Sequence, residues 1–190
     1  MGCGKSSVGR RLSQLLCCPF MDLDDVIVES AGRSIPEIFA SDGEVAFRKM
    51  EQEALMGILS ASEPRQSCHP ERSEGSVSLI LALGGGTVMT PECAEIVKEK
   101  TFCIYLRASI ETLMEHLEDQ TKNRPLLNVS ERPDCHFERA ERDEKSAMRD
   151  RITDLIAQRS STYEKTAHII IDTDGKSIEA VASEIINLLN

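Results

Sequence analysis

The chain has 190 residues, 41% of them hydrophobic and 28% charged, with a formal net charge of -10. That composition suits one soluble globular domain with a real core and excludes binding of nucleic acid or an anionic membrane through bulk charge. The absence of Trp and the presence of only two Tyr leave no stacking platform for single-stranded nucleic acid.

No run is apolar enough to span a membrane, and no basic segment followed by an apolar stretch opens the chain. Seven Cys occur without a C-x-x-C pair. Reduced thiols in a cytoplasm are the expectation, rather than a disulfide framework.

Taken in order, Ser7 to Leu16 carries Val8, Leu12, Leu15 and Leu16 at helical spacing, after a Gly-Lys-Ser turn. "CCPFMDLDD" is a short apolar run ending in carboxylates, which suits a buried strand. "DDVIVESAG" reads as a helix closed by Gly32, and Ser34 with Glu37 reads as a capping box for the next helix. "GEVAFRKMEQEALMGIL" is amphipathic, with Val45, Phe47, Met50, Ala54, Leu55 and Ile58 expected on one face.

"VSLILALGGG", "TFCIYLRA" and "AHIIIDTD" are continuous apolar runs. Helical patterns lie around them at "PECAEIVKEK", "SIETLMEHLED" and "SIEAVASEIINLL". Buried strands alternating with helices predict an α/β fold on a parallel sheet, with ligands at the C-terminal strand ends. Asp22, Asp24 and Gly84 to Gly86 fall at such ends.

Two polar stretches, "SASEPRQSCHPERSEGS" and "SERPDCHFERAERDEKS", break the pattern and resemble each other. A zinc site from the pairs Cys68-His69 and Cys135-His136 is disfavoured, because adjacent side chains rarely reach one metal. A duplicated, solvated and mobile insertion is the preferred reading. The organisation is therefore one domain over 1–190, with an inserted loop at 61–76 and a lid region with an insert at 125–147.

Gly4-Lys5-Ser6 supplies the end of the phosphate-loop pattern G-x-x-x-x-G-K-[ST], whose first glycine would lie before Met1. Backbone N–H groups at a helix start cradle phosphate, Lys5 reaches the β and γ phosphates, and the Ser6 hydroxyl suits Mg²⁺. The rival reading is N-myristoylation on Gly2, with Cys3 as a second acyl site. It explains nothing downstream.

Asp22 and Asp24 offer two jobs, a cation held through water and a base for a hydroxyl, against a plain role for Asp24 in helix capping. Arg48 on its helix reads blandly as a solvated arginine, and Gly84-Gly85-Gly86 as a turn that also lets backbone approach a ligand. Arg124-Pro125-Leu126-Leu127 puts a cation before a polar segment, and Arg159 lies one turn from Tyr163.

Together these residues resemble the shikimate kinase family. The matching strings are "GCGKSSVGRRL", "FMDLDDVIVESAGRSIPEIFASDGEVAFRKMEQEAL", "LALGGGTV", "NRPLL" and "RSSTYEKTA", in the family's order. The resemblance implies a P-loop kinase three-layer fold on a parallel sheet of order 2-3-1-4-5. It implies transfer of the ATP γ-phosphoryl group to the 3-hydroxyl of shikimate by a cytoplasmic monomer without nucleic-acid or membrane partners. By position, Lys5, Asp24 and Arg124 would be catalytic, with Asp24 as base. Asp24, Arg48, Gly84, Gly85, Gly86 and Arg159 would bind shikimate, the two arginines clamping its carboxylate and the glycines offering backbone N–H groups. Gly2, Cys3, Gly4, Lys5, Ser6, Ser7 and Arg124 would hold ATP, while Ser6 and Asp22 would serve Mg²⁺.

Three departures from the family's pattern accompany the resemblance. The family's first strand, central in its sheet, is absent from the sequence. One insert falls in the lid. The arginine that often stacks on adenine before R-P-L-L is replaced by His116 and Lys122. A non-catalytic relic that binds nucleotide weakly, or a kinase of another small carboxylated polyol, are the alternatives.

Overall fold

The computed structural model describes residues 3–62, 79–122 and 137–189. Gly2, Arg124, both Cys-His pairs, most of the 61–76 loop and the first part of the 125–147 region lie outside the described residues.

Four short strands and eight α-helices alternate in the described residues. Strands β1 (Phe20–Asp22) and β2 (Ile80–Ala82) pair in parallel, with Phe20 opposite Ile80 and Asp22 opposite Ala82. Strands β3 (Ile104–Arg107) and β4 (Ile169–Asp172) form a second parallel pair, with Ile104 opposite Ile169 and Arg107 opposite Asp172. No hydrogen-bonded ladder joins β2 to β3 among the described residues. The adjacency 2-3 and 4-5 of the expected order is present, and the position between them carries no described strand.

Helix α1 (Lys5–Leu16) begins after Gly4, whose φ of 75° is left-handed and suits glycine. It lies tightly on β1: a Cβ added at Gly9 would come within 2.5 Å of the Phe20 ring. Asp22 ends β1 and starts α2 (Leu23–Ala31), its side chain accepting the Asp24 N–H at 3.2 Å. The capping residue is thus Asp22 rather than Asp24. Gly32, at φ 63°, closes α2 as its sequence implies. Helix α3 (Ile35–Ser41) opens with the Ser34 N–H and hydroxyl both donating to Glu37, at 2.8 and 2.7 Å.

Helix α4 (Gly43–Ser62) buries Phe47, Leu55 and Ile58, and Met50 and Ala54 pack beside them. Val45 does not join that face and is 86% exposed. It lies two residues from Phe47, about 200° around the helix. Glu51, four residues after Phe47 and so on its buried face, is 1% exposed. A 3₁₀ turn (Thr87–Met89) and α5 (Pro91–Lys100) follow β2.

Helix α6 (Ile110–Lys122) follows β3, and α7 (Phe137–Thr166) precedes β4. Residues 137–147, which sequence periodicity left unassigned, therefore belong to a helix. Their run of Glu, Arg, Ala and Lys explains it, since these are strong helix formers even without an apolar stripe. Helix α8 (Ile178–Leu189) completes the chain order.

The core has two parts. Leu23, Ile27, Ile38, Phe47, Leu55 and Val97 pack under α2 to α5, while Val8, Leu12, Leu106, Ile171, Val181 and Ile185 join α1 and α8 to β3 and β4. The site residues come from the polar ends of elements anchored in these clusters. No helix is long and apolar enough to cross a membrane among the described residues.

Candidate active site

The start of α1 and the end of β1 meet through one hydrogen bond. Ser6 Oγ donates to Asp22 Oδ2 at 2.7 Å, while Asp22 Oδ1 accepts the Asp24 N–H. Asp22 therefore joins the putting-in-place of two turns: the one that carries Lys5 and the one that carries Asp24. Gly4, Lys5 and Ser6 are half-buried and Ser7 is exposed on the first turn of α1. The N-terminus of a twelve-residue helix presents unpaired N–H groups suited to phosphate oxygens. Cys3 packs beside the cluster that includes Val8 and Ile171.

Ser6 and Asp22 are hard oxygen donors, the type Mg²⁺ takes. No group of three or more His, Cys, Asp or Glu side chains forms a metal cage among the described residues.

Asp24, half-buried in the first turn of α2, has its pKa raised. Burial is the main cause; the charges of Asp22 and Glu51 add to it, and Lys5 works against it. A carboxylate so placed is a stronger base than a solvated aspartate.

The three glycines after β2 organise the rest, each facing a different functional side chain. A Cβ on Gly84 would lie 2.8 Å from Asp24 Oδ1 and 3.1 Å from both Glu51 Oε1 and Thr87 Oγ1. A Cβ on Gly86 would lie 2.7 Å from Arg48 Nη2. The Gly85 carbonyl accepts from Arg159 Nη1 at 3.3 Å and from the Tyr163 hydroxyl. The turn thus brings Asp24, Arg48 and Arg159 around one short backbone segment. Its described bonds run through carbonyls, since Gly84 and Gly86 accept from the N–H groups of Thr87 and Met89.

Arg48 is held by Glu51 at 2.5 Å and by Glu44 at 3.0 Å. Glu51 also accepts from Thr87 Oγ1 at 2.7 Å. Lys5, Gly84, Gly85, Tyr105, Arg159 and Tyr163 line a cavity of about 160 Å³.

Lys5, Ser6, Asp22, Asp24, Arg48, the glycines and Arg159 therefore gather from five separate parts of the chain. Sequence reasoning missed Glu51, Thr87 and Tyr163 as parts of the site. Glu51 had a signal, since an acid three residues after Arg48 sits on the apolar face of α4. Thr87 had none.

The family model for shikimate kinase matches residues 1–190. A shikimate kinase of Thermus thermophilus is 37% identical over 189 residues, spanning 100% of this chain and 85% of the relative. One from Dictyoglomus turgidum is 34% identical over 191 residues, spanning 100% of this chain and 92% of the relative. The solved structure of shikimate kinase from Acinetobacter baumannii, in complex with shikimate, superposes with a TM-score of 0.73. It is 30% identical, and the match covers 100% of this chain and 88% of that one.

Proposed function

The chain belongs to the shikimate kinase family, and from that membership we propose how its residues divide the work of phosphorylating shikimate. It has the P-loop kinase fold and is an ATP-dependent transferase acting on the 3-hydroxyl of shikimate. The gathering of Asp24, Arg48 and Arg159 around the Gly84–Gly86 turn carries this division of roles.

The N–H groups of Gly4 to Ser7 receive the ATP phosphates, with Cys3 and Gly2 completing the loop. Lys5 follows the charge that builds on the transferring group. Arg48 and Arg159 hold the shikimate carboxylate. Arginine suits this because each guanidinium has five donors, and the bonds to Glu44, Glu51 and Gly85 leave others for a ligand. The glycines keep the floor of the site thin, so that the substrate ring approaches the backbone.

Asp24 accepts the proton of the 3-hydroxyl. The oxygen forms its bond to the γ phosphorus as the bond from that phosphorus to the β–γ bridging oxygen breaks, and ADP leaves with the electron pair. Mg²⁺, when bound, would neutralise phosphate charge. Ser6 and Asp22 would hold it, Asp22 through water. Arg124 and the 125–147 lid enter this reading from the sequence, as a second phosphate cation and as the cover that excludes water. The five described cysteines are free thiols, in keeping with our placement of the chain in a reducing cytoplasm. We take a monomer as the acting form.

ADP release by the chain with Mg-ATP, with and without shikimate, tests the reading. Shikimate-dependent release is the expected result. Release driven by another carboxylated polyol would move the substrate, and no release with any acceptor would overturn the catalytic roles.

A further inference from the structure

The Gly85 carbonyl takes two donors from one helix. Arg159 Nη1 reaches it at 3.3 Å, and the Tyr163 hydroxyl donates to the same oxygen. The two residues are four apart on α7, which stacks them on one face. The Tyr163 ring is fixed from behind. It lies 5.1 Å from the Tyr105 ring of β3, tilted by 45°, and packs against the core cluster that holds Val88 and Val97. The hydroxyl therefore meets the turn from a firm base. No peptide bond among the described residues is cis, so the Gly86 N–H points opposite to the Gly85 carbonyl, away from α7. The Gly84 and Gly86 carbonyls are taken by Thr87 and Met89, whereas no described group accepts from the Gly86 N–H.

A peptide between two glycines turns over easily, because neither side has a Cβ to clash. Turned over, it would point its N–H at the two donors on α7 and put a carbonyl oxygen where the N–H had stood. A substrate carboxylate is repelled by that oxygen and attracted by the N–H. We propose that Tyr163 is a positioning residue, whose hydroxyl locks the Gly85–Gly86 peptide with the Gly86 N–H facing shikimate. This role rests on the reading of Asp24, Arg48 and Arg159 as shikimate contacts, since they surround the turn. The lock has a second effect. At 3.3 Å the Arg159 bond is long for N–H···O, so Tyr163 carries the turn and leaves the Arg159 guanidinium to the carboxylate. The ring alone would not serve: phenylalanine fills the same space beside Tyr105 but has no donor.

Tyr163→Phe in the whole chain is the test, and it keeps the ring packing so that the variant folds. In steady-state kinetics the KM for shikimate should rise about tenfold, the scale of one net hydrogen bond, with kcat and the KM for ATP changed by less than about twofold. The second readout is nuclear magnetic resonance of the ligand-free chain labelled with ¹⁵N-glycine. The Gly86 amide should give one sharp signal in the parent and a broadened or doubled one in the variant, as the peptide samples both orientations. A KM for shikimate within about twofold of the parent's, or equal rises in both KM values, would overturn the proposal. So would a Gly86 signal that the substitution leaves unchanged. The amide measurement needs no substrate. A parent chain that releases no ADP with shikimate would therefore overturn the residue roles, while the Gly86 signal still decided whether Tyr163 locks the turn.

Discussion

The carboxylate of Glu51 accepts a 2.7 Å hydrogen bond from Thr87, 36 residues further along, and both side chains are closed off from solvent. Its second oxygen takes Arg48 at 2.5 Å. One buried charge thus fixes the turn after the glycines and aims the guanidinium read as half of the carboxylate clamp. A buried carboxylate is tolerated only when paired and hydrogen-bonded, and here both conditions hold.

Replacing Glu51 with Ala should therefore be costly. It orphans Thr87 and leaves Arg48 with Glu44 as its described partner. The loss expected is about 3 kcal/mol, the lower end for breaking a buried pair, because Arg48 itself is partly exposed. For a chain of this size that lowers the thermal midpoint by about ten degrees. Glu51→Gln keeps a partner for Thr87 and should lose less stability. It should still raise KM for shikimate more than it lowers kcat, since Arg48 loses the buried charge that aims it and keeps the more exposed Glu44. Calorimetry and steady-state kinetics on both variants check this.

Asp24→Asn should separate stability from activity. The raised pKa of Asp24 means that the folded state disfavours its charge, through burial first and then through Asp22 and Glu51. Below the ordinary aspartate value both folded and unfolded chains carry the proton, so the penalty is absent. It grows as pH rises through the window up to the raised folded value and is full above it. The asparagine variant should then melt at or above the parent's temperature at neutral pH, the two converging as pH falls through that window. Its kcat should drop about 100- to 10,000-fold if Asp24 is the base. A variant that melts lower at neutral pH would contradict the electrostatic account.

The same shift predicts the acid side of the rate profile. At limiting shikimate, kcat/KM reports groups of the free enzyme, the state to which this shift belongs. Its acid limb should lie above the range of a solvated aspartate, because Asp24 must be ionised to take the hydroxyl proton. A profile flat down to the ordinary aspartate range would remove Asp24 from the role of base.

Much of this site was legible in the residues. Gly4-Lys5-Ser6, Asp22, Asp24 and the glycine run are short local patterns that name their own chemistry, and the apolar runs between helices announced a parallel sheet. What escaped depended on which face of a helix turns inward. Val45 looked like core and is exposed, while Glu51 looked like surface and is buried. Composition along α4 cannot separate them, because the choice depends on Thr87 and Arg48 waiting to pair with a carboxylate. The start of α7 escaped for the opposite reason, since a polar helix has no stripe to read.

Substitutions at the glycines should distinguish the two substrate contacts. Gly84→Ala pushes a methyl to 2.8 Å from Asp24 Oδ1, closer than a carbon tolerates, with Glu51 and Thr87 closing the other directions at 3.1 Å. Asp24 must shift, and misplacing a reacting group by about 1 Å can cost about 100-fold, so kcat should fall steeply. Gly86→Ala instead meets the Arg48 guanidinium, the far end of a flexible side chain, with Nη2 at 2.7 Å. Arg48 can swing away at the cost of its bonds to Glu44 and Glu51. The expected result there is a KM for shikimate raised about tenfold or more, the scale of one charged hydrogen bond, with kcat changed less. Neither glycine has the left-handed backbone that would strain an alanine, so both variants should fold. Equal effects of the two substitutions on kcat and KM would mean that the turn acts as one rigid unit. Opposite assignments would exchange the roles read here for Asp24 and Arg48.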